Sequence, residues 1–297
     1  MDGILPLWKP KGLTSHDCVF KIRKIFQTKK VGHTGTLDPE VEGVLPICIG
    51  QATKIVPFLT ETRKTYSAEI TLGTATETED RYGKIIEEAN VLDEFSSVDI
   101  KQVLSSFHGE IKQIPPMYSA VKINGKKLYE YAREGKVIER PQRTVAIHHI
   151  QLCEGSINKS SNRLSFKFDV ECSKGTYIRT LCVDIGKELG YPAHMSGLVR
   201  TKTGCFDKDN TYTFEEINQA TDLASLLEPI VKGVEDLSVY YVDEHIKKKV
   251  LNGQKLNLPD LLPATDPFRV QYHDELLAIY KSHPDDKQLM KPVRVFN

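Results

Sequence analysis

Strand-like and helix-like stretches follow one another in this chain without regular β–α alternation, and that order limits the folds open to it. A doubly wound parallel sheet needs a helix between successive strands, so the mixed order favours an α+β sheet instead. Thr14 or Ser15 caps a helix running to about Phe26, with Cys18, Val19, Ile22, Ile25 and Phe26 at helical spacing. Thr65 to Leu72 alternates Tyr66, Ala68, Ile70 and Leu72, the pattern of a half-buried strand. A second helix opens at Ser96 or Ser97 and ends near His108, before Gly109. After the two-proline break I-P-P-M-Y comes a short strand to Ile123 and the turn signal Asn124-Gly125. K-K-L-Y-E-Y-A-R-E-G then reads as a helix closed by Gly135. Arg143 to Cys153 and Leu164 to Cys172 read as strands, and Thr176 to Leu189 as a helix stopped by Gly190. Thr213 with Glu216 forms a capping box for one more helix.

From about Ser238 the character changes to short strand-like pieces broken at Pro259, Pro263, Pro267 and Pro284. The 297 residues suffice for one large domain and one small one, or two medium ones, and with the change of character the expected boundary is 1–237 against a β-rich module at 238–297. Hydrophobic residues at 40% and charged residues at 27% describe a soluble globular protein. No apolar run approaches the ~20 residues of a membrane helix. The start, M-D-G-I-L-P-L-W-K-P, has no basic stretch before an apolar one, so a cytoplasmic location is expected. The six cysteines are scattered without a C-x-x-C pair, which suits reduced, mostly buried thiols and points to no zinc site.

Net charge is zero, but its distribution is uneven. Met1 to Lys64 holds ten basic and six acidic residues, and Lys112 to Arg143 holds eight against three. Between them, Glu77 to Glu110 holds nine acidic and three basic residues. Two basic blocks of this kind could line a groove for a polyanion. Charge alone favours the plainer reading, solvated faces of surface helices.

The stretch with most chemical content is Val31 to Pro39, V-G-H-T-G-T-L-D-P. It puts Asp38 at the end of a loop with two glycines, two threonines and a histidine, which can hold one reactive group near a ligand. Pro39 restricts its own φ and biases Asp38 towards an extended conformation. Asp-Pro is also an ordinary turn dipeptide, and taken alone Asp38 would be a turn residue more often than a catalyst. Three other segments could join it: Arg63-Lys64-Thr65-Tyr66, the strand-to-helix turn from Cys172 to Arg179, and Gly197 to Thr201. The second of these places Tyr177 and Arg179 in a helix's first turn.

In this order, the segments closely resemble the TruB family of tRNA pseudouridine synthases. The matching stretches are K-P-K-G-L-T-S, G-H-T-G-T-L-D-P, L-P-I-C-I-G-Q-A-T-K, K-T-Y, P-P-M-Y-S-A-V-K-I-N-G-K-K-L-Y-E-Y-A-R-E-G and C-S-K-G-T-Y-I-R-T-L, covering most of Lys9 to Arg200. After about Thr213 the likeness is vague, and the tail resembles the family's small PUA-like module. The resemblance implies a pseudouridine-synthase fold with a central mixed, largely antiparallel sheet flanked by helices.

It further implies conversion of the T-loop uridine at position 55 of tRNA to pseudouridine: the glycosidic bond is broken at N1 and remade at C5 of the same base. No external reactant enters, so no cofactor and no metal are implied. Asp38 matches the catalytic aspartate, acting as a nucleophile or by steadying charge on the sugar. Arg179 matches its arginine partner. Tyr66 matches the tyrosine that stacks on the target uracil, with a hydroxyl able to move the sugar or C5 proton. Tyr177 and Leu198 match walls of the base pocket, and His33 matches a residue placed in the RNA loop near the vacated position. The block at about 112–143, with Tyr118, Tyr129 and Tyr131 interleaved, resembles an RNA-gripping insertion. Lys64, Lys126 and Lys127 are its candidate substrate contacts and those of the site; Tyr118 and Tyr129 are the tyrosines expected in the core. The implied partner is the tRNA T-arm, met by a monomer with no obligatory protein partner and no membrane. A reading of another class is a T-arm-binding or tRNA-folding module independent of catalysis; the set Asp38, Tyr66 and Arg179 speaks against lost catalysis without excluding a folding role.

Overall fold

The computed structural model describes residues 1–259, 261 and 263–297. They fall into two units, each assembled from separated stretches: Met1–Glu40, Val44–Thr60 and Gly204–Asn297 in the first, Val41–Gly43 and Glu61–Thr203 in the second.

The first unit opens with strand β1 (Gly3–Lys9) and helix α1 (Ser15–Ile25). Thr14 caps α1 through a capping box. Its hydroxyl accepts from the Asp17 backbone N–H at 3.0 Å, and the Asp17 carboxylate accepts from the Thr14 N–H at 2.9 Å. Short strand β2 (Val31–His33) pairs antiparallel with β3 (Glu42–Ile49), Val31 opposite Ile49 and His33 opposite Ile47. Helical spacing puts Cys18, Val19 and Ile22 on one side of α1, where they pack with Val31, Leu45, Ile47 and Ile49. A 3₁₀ turn at Gly50–Ile55 leads into helix α2 (Val56–Glu61).

The second unit is built on a mixed sheet. Its long strands are β4 (Lys64–Leu72), β7 (Gly109–Gln113), β10 (Arg143–Leu152), β12 (Arg163–Cys172) and β13 (Ala193–Thr203). In space they run β13–β4–β12–β10–β7, all antiparallel neighbours, and Glu42–Gly43 adds a parallel pairing beside Val199–Arg200. The alternation expected in β4 holds: Ala68, Ile70 and Leu72 are buried, as are Phe168, Phe166 and Leu164 of β12 opposite them. Helix α3 (Ser97–Ser106) is capped by Ser96 and helix α5 (Ile178–Glu188) buries Leu181, Cys182 and Ile185. Smaller pieces decorate this frame: the hairpin β5–β6 (Thr74–Thr76 and Ile85–Glu88), the hairpin β8–β9 (Lys122–Ile123 and Lys126–Lys127), helix α4 (Leu128–Arg133) and edge strand β11 (Asn158–Ser160).

Gly43 is where the two chain directions meet. Its φ of +129° is open mainly to glycine, and a Cβ there would lie 2.2 Å from the Arg200 carbonyl oxygen. Gly43→Ala is therefore expected to destabilise the protein by about 2–4 kcal/mol, through strained backbone and forced separation from β13. The check is a lower urea midpoint at unchanged slope; an unmoved midpoint would show that the backbone yields there without cost.

The remaining elements belong to the first unit: β14 (Phe206–Asp207), helix α6 (Phe214–Gln219) with its Thr213–Glu216 capping box, then β15 (Val239–Tyr241), helix α7 (Glu244–Leu251), β16 (Leu256–Asn257), β17 (Phe268–Tyr272), β18 (Glu275–Ser282) and β19 (Leu289–Val295). The last five strands form one sheet in the order β15–β17–β18–β19–β16, whose core gathers Val250, Phe268, Val270, Leu277, Ala278, Tyr280 and Met290. Ile279 instead joins a cluster with Ile4, Val44, Cys48, Ala52 and Ile55. All six cysteines are free thiols; Cys18, Cys48, Cys172 and Cys182 are buried, Cys153 and Cys205 half-buried. Among the described residues no helix is long and apolar enough to cross a membrane.

Candidate active site

In the first unit the loop carrying Asp38 is clamped on both sides of that residue. The Leu37 backbone N–H donates to the Ser15 hydroxyl at 2.8 Å, and the hydroxyl donates back to the Leu37 carbonyl at 3.3 Å. On the far side, the Pro39 carbonyl accepts from Lys9 Nζ at 3.1 Å and from the Gly12 N–H at 2.9 Å. Lys9 is fully buried and also donates to the Pro10 carbonyl. A buried ammonium that donates to two backbone carbonyls fixes the loop more tightly than a turn dipeptide could alone. Leu37 and Val41 are buried while Asp38 is half-buried. Upstream, Thr34 donates to the Pro46 carbonyl, and the Gly35 N–H donates to His33 Nδ1 at 3.3 Å.

In the second unit, strand register brings the other segments together. Tyr66 on β4 lies opposite Val170 of β12 and Arg200 of β13; Leu198 lies opposite Ala68; Lys64 lies opposite Cys172. Because side chains alternate along a strand, Lys64, Tyr66, Leu198 and Arg200 share one face of the sheet. The Arg200 guanidinium is hydrogen-bonded to the Tyr66 hydroxyl. Burial pushes Arg200 below the usual arginine value, against the opposing pull of Tyr66. Lys64 is only 6% exposed, and burial, with Arg200 nearby, pushes it down to about 8. Its ammonium donates to the Thr62 carbonyl at 2.6 Å. Burial likewise pushes the Cys172 thiol up to about 11, so it stays protonated.

β12 turns into α5 at this same end of the sheet. Tyr177 is the N-cap of α5 and not part of its first turn: its φ of −96° and ψ of 108° are extended. The Gln113 side chain holds it there, accepting from the Tyr177 N–H at 3.1 Å and donating to its carbonyl at 3.3 Å. Arg179 is buried as the second helical residue, donating to the Thr78 carbonyl at 3.0 Å and the Tyr118 carbonyl at 2.9 Å. Beside it, Thr180 donates to Glu79 at 2.7 Å, and burial raises the Glu79 carboxyl above its ordinary value. A fork that bridges two loop carbonyls orients the arginine and ties the 114–121 segment to the helix.

The insertion differs from its sequence pattern. Lys126 and Lys127 do not begin a helix; they form β9, folded back on Lys122–Ile123. Asn124 and Gly125 adopt φ of +52° and +80°, the left-handed pair of a tight two-residue hairpin turn, which claims the two lysines before α4 begins. Lys126 pairs with Glu134 and lies over the Tyr131 ring; Lys127 lies over Tyr129, as does Arg133. Tyr118 and Tyr129 are half-buried and not core residues; Leu128 takes the buried position because the short helix turns that face inward.

Comparison with known proteins is decisive. Residues 23–178 match the model of the TruB family pseudouridylate synthase N-terminal domain, and residues 179–238 match that of the tRNA pseudouridylate synthase B C-terminal domain. The chain belongs to the TruB family. The tRNA pseudouridine synthase B of Oceanobacillus iheyensis is 59% identical over all of this chain and 98% of its own length. That of Bacillus subtilis is 51% identical, covering 99% of this chain and 97% of the relative. Among solved structures, a Cbf5–Nop10–Gar1 complex superposes with a TM-score of 0.74 at 29% identity, over 99% of this chain and 84% of the matched one. An H/ACA ribonucleoprotein bound to a substrate RNA containing 2′-deoxyuridine gives 0.71 at 26%, over 99% and 85%. These TruB-type neighbours carry the expected α+β fold with a C-terminal β module.

Of the residues singled out from sequence, His33 and Asp38 stand in the first unit; Lys64, Tyr66, Tyr177, Arg179, Leu198, Lys126 and Lys127 stand in the second. Residues that sequence reasoning left without a role now have one. Lys9, Ser15 and Gly12 clamp the Asp38 loop, Gln113 holds the α5 N-cap, and Arg200 meets Tyr66. Lys9, Gly12 and Ser15 lie within K-P-K-G-L-T-S, so the signal was present as a motif, but nothing in a linear motif shows which carbonyl its lysine reaches.

Proposed function

We propose that this TruB-family chain isomerises uridine to pseudouridine at position 55 in the T-loop of tRNA, by base flipping and aspartate-dependent cleavage and re-formation of the glycosidic bond. The observation that carries the reading is the whole-length identity to relatives named tRNA pseudouridine synthase B, with Asp38, Tyr66 and Arg179 present in the sequence. Asp38 either attacks C1′ or C6, or steadies the positive charge that builds on the sugar as N1 departs. Arg179 is the arginine to which the family resemblance gives the role of keeping such a carboxylate ionised and aimed. Tyr66 stacks on the uracil and its oxygen moves the sugar or C5 proton. Tyr177 and Leu198 wall the pocket so that the detached base is retained and turned before it is re-bonded. Lys64, buried and only partly charged near pH 8, adds positive potential to the substrate site.

A uridine stacked in a folded T-loop must be extruded at a cost of a few kcal/mol, and the His33 ring offsets part of this by stacking in the emptied place. The 112–143 insertion grips phosphates, and the 238–297 module supplies a further RNA surface. The protein acts as a cytoplasmic monomer without cofactor, metal or obligatory protein partner. Incubating unmodified T-arm RNA with the protein and mapping pseudouridine tests the reading; product at another position, or none, would refute it.

Reversing charge at the hairpin, Lys126→Glu with Lys127→Glu, is expected to weaken T-arm binding and flatten its salt dependence, by about one unit of log–log slope for each phosphate no longer neutralised. Filter binding across a salt series measures it. An unchanged slope would remove β8–β9 from the RNA path.

A further inference from the structure

Arg200 heads the fully buried side chains by volume among the described residues, at 1% exposure. A cation so placed is costly to bury, and the antiparallel pairing of β13 with β4 would accept an aliphatic residue at this register. What distinguishes the position is its neighbour. Arg200 lies directly across from Tyr66, and its guanidinium is bonded to the Tyr66 hydroxyl. A guanidinium has donors only, so in this pair the phenol oxygen must accept, and its own hydrogen is directed elsewhere. Lys64, two residues earlier on β4, puts a second basic group on the same face.

We propose that Arg200 is a positioning residue for the uridine isomerisation, holding the Tyr66 oxygen as a hydrogen-bond acceptor that is ready to take a proton from the substrate. This rests on the reading of Tyr66 as the proton mover. In the step served, a substrate C–H bond breaks and the proton joins the Tyr66 phenolate oxygen. The electron pair stays in the substrate, as a C1′=C2′ double bond when hydrogen leaves C2′ and the C1′ substituent departs, or as the restored C5=C6 double bond when it leaves C5. In the first case the proton is returned to C2′ as the base re-bonds to C1′ through C5, and the C5 hydrogen then passes to N1. In the second case the proton is returned to N1 of the product, so either course balances the isomerisation.

A fixed positive charge within hydrogen-bonding distance of a phenol favours its ionised form by ~1–3 pH units, against the opposing effect of burial. On the sheet face that Tyr66 shares, Arg200 of β13 lies across from it and Lys64 lies two residues along its own strand. Cys172 of β12 lies opposite Lys64 and stays neutral, while Glu61 and Lys174 act on Lys64 from farther out. Arg200 is the charged group set directly across from Tyr66, whereas Lys64 is partly discharged near pH 8.

The test is a pH titration of the full chain carrying tyrosine labelled with ¹³C at Cζ, with Tyr66→Phe identifying the resonance. In the unaltered protein Tyr66 should ionise below the other tyrosines. In Arg200→Gln its ionisation should rise by at least about one pH unit, with Arg200→Lys in between, because an ammonium keeps the charge but not the fork. Turnover of T-arm RNA by Arg200→Gln should fall about tenfold or more at neutral pH, with KM nearly unchanged, and recover as pH is raised. A Tyr66 titration that is the same with and without Arg200, or a loss of turnover that no pH restores, would overturn the proposal. If Arg200→Gln does not fold, a Tyr66 that ionises no lower than the other tyrosines in the unaltered protein overturns it equally. Failure of the underlying reading looks different: Tyr66→Phe would then turn over T-arm RNA normally, whatever the resonance does.

Discussion

Asp38→Asn is expected to abolish pseudouridine formation, by about 10⁴-fold or more, while T-arm RNA still binds. The amide matches the carboxylate in shape but is neutral, so it neither attacks C1′ or C6 nor steadies an oxocarbenium-like sugar. Both forms of the chemistry lose their central group, which is why the effect should be large whichever operates. The substitution leaves the clamp in place, because Ser15, Lys9 and Gly12 hold the loop through the backbone of Leu37 and Pro39. Single-turnover mapping of pseudouridine with saturating enzyme, beside a binding isotherm for the same RNA, separates catalysis from affinity. Product formed at an ordinary rate would remove Asp38 from the reaction. Loss of binding together with product would favour a role for the loop in gripping RNA. Persistent binding without product excludes a module for which Asp38 chemistry is incidental.

Tyr66→Phe is the second large effect. The ring is retained, so stacking on uracil and the affinity for the T-arm should stay within about twofold. The oxygen is gone, and with it the acceptor that Arg200 holds. If that oxygen moves the sugar or C5 proton, turnover should fall by about 10²–10⁴-fold. Measuring kcat and KM separately on T-arm RNA checks the split, since a pure stacking residue would change neither by much when only the hydroxyl is removed. Near-normal kcat would reduce Tyr66 to a platform for the base.

Much of the fold was legible because local chemistry and tertiary structure agree. Thr14, Ser96 and Thr213 cap helices as their side chains predict, since a hydroxyl three residues ahead of a carboxylate satisfies free backbone N–H groups wherever the helix lies. The alternation in β4 was equally plain, because a sheet buried on one face imposes period two. The insertion was misread for a complementary reason. Lys126 and Lys127 have good helix propensity, but the left-handed Asn124-Gly125 pair redirects them into a hairpin, and turn geometry outranks the weak preference of two lysines. Tyr177 was one residue misplaced because Gln113, 64 positions away, pins its backbone in an extended cap.

By itself the sequence determined which residue types are available and in what order: the glycine-rich loop ending in Asp38, the K-T-Y and G-T-Y-I-R segments, and the family they resemble. Tertiary structure decided the partners. Only strand register could place Arg200 across from Tyr66, and only folding could bring Lys9 to the Pro39 carbonyl, 30 residues along the chain. The physical reason is range. Caps, turns and periodicity act within a few residues and are written into short words of sequence. The environment of a buried cation is set by segments far apart in the chain, and no local pattern records which of them will meet.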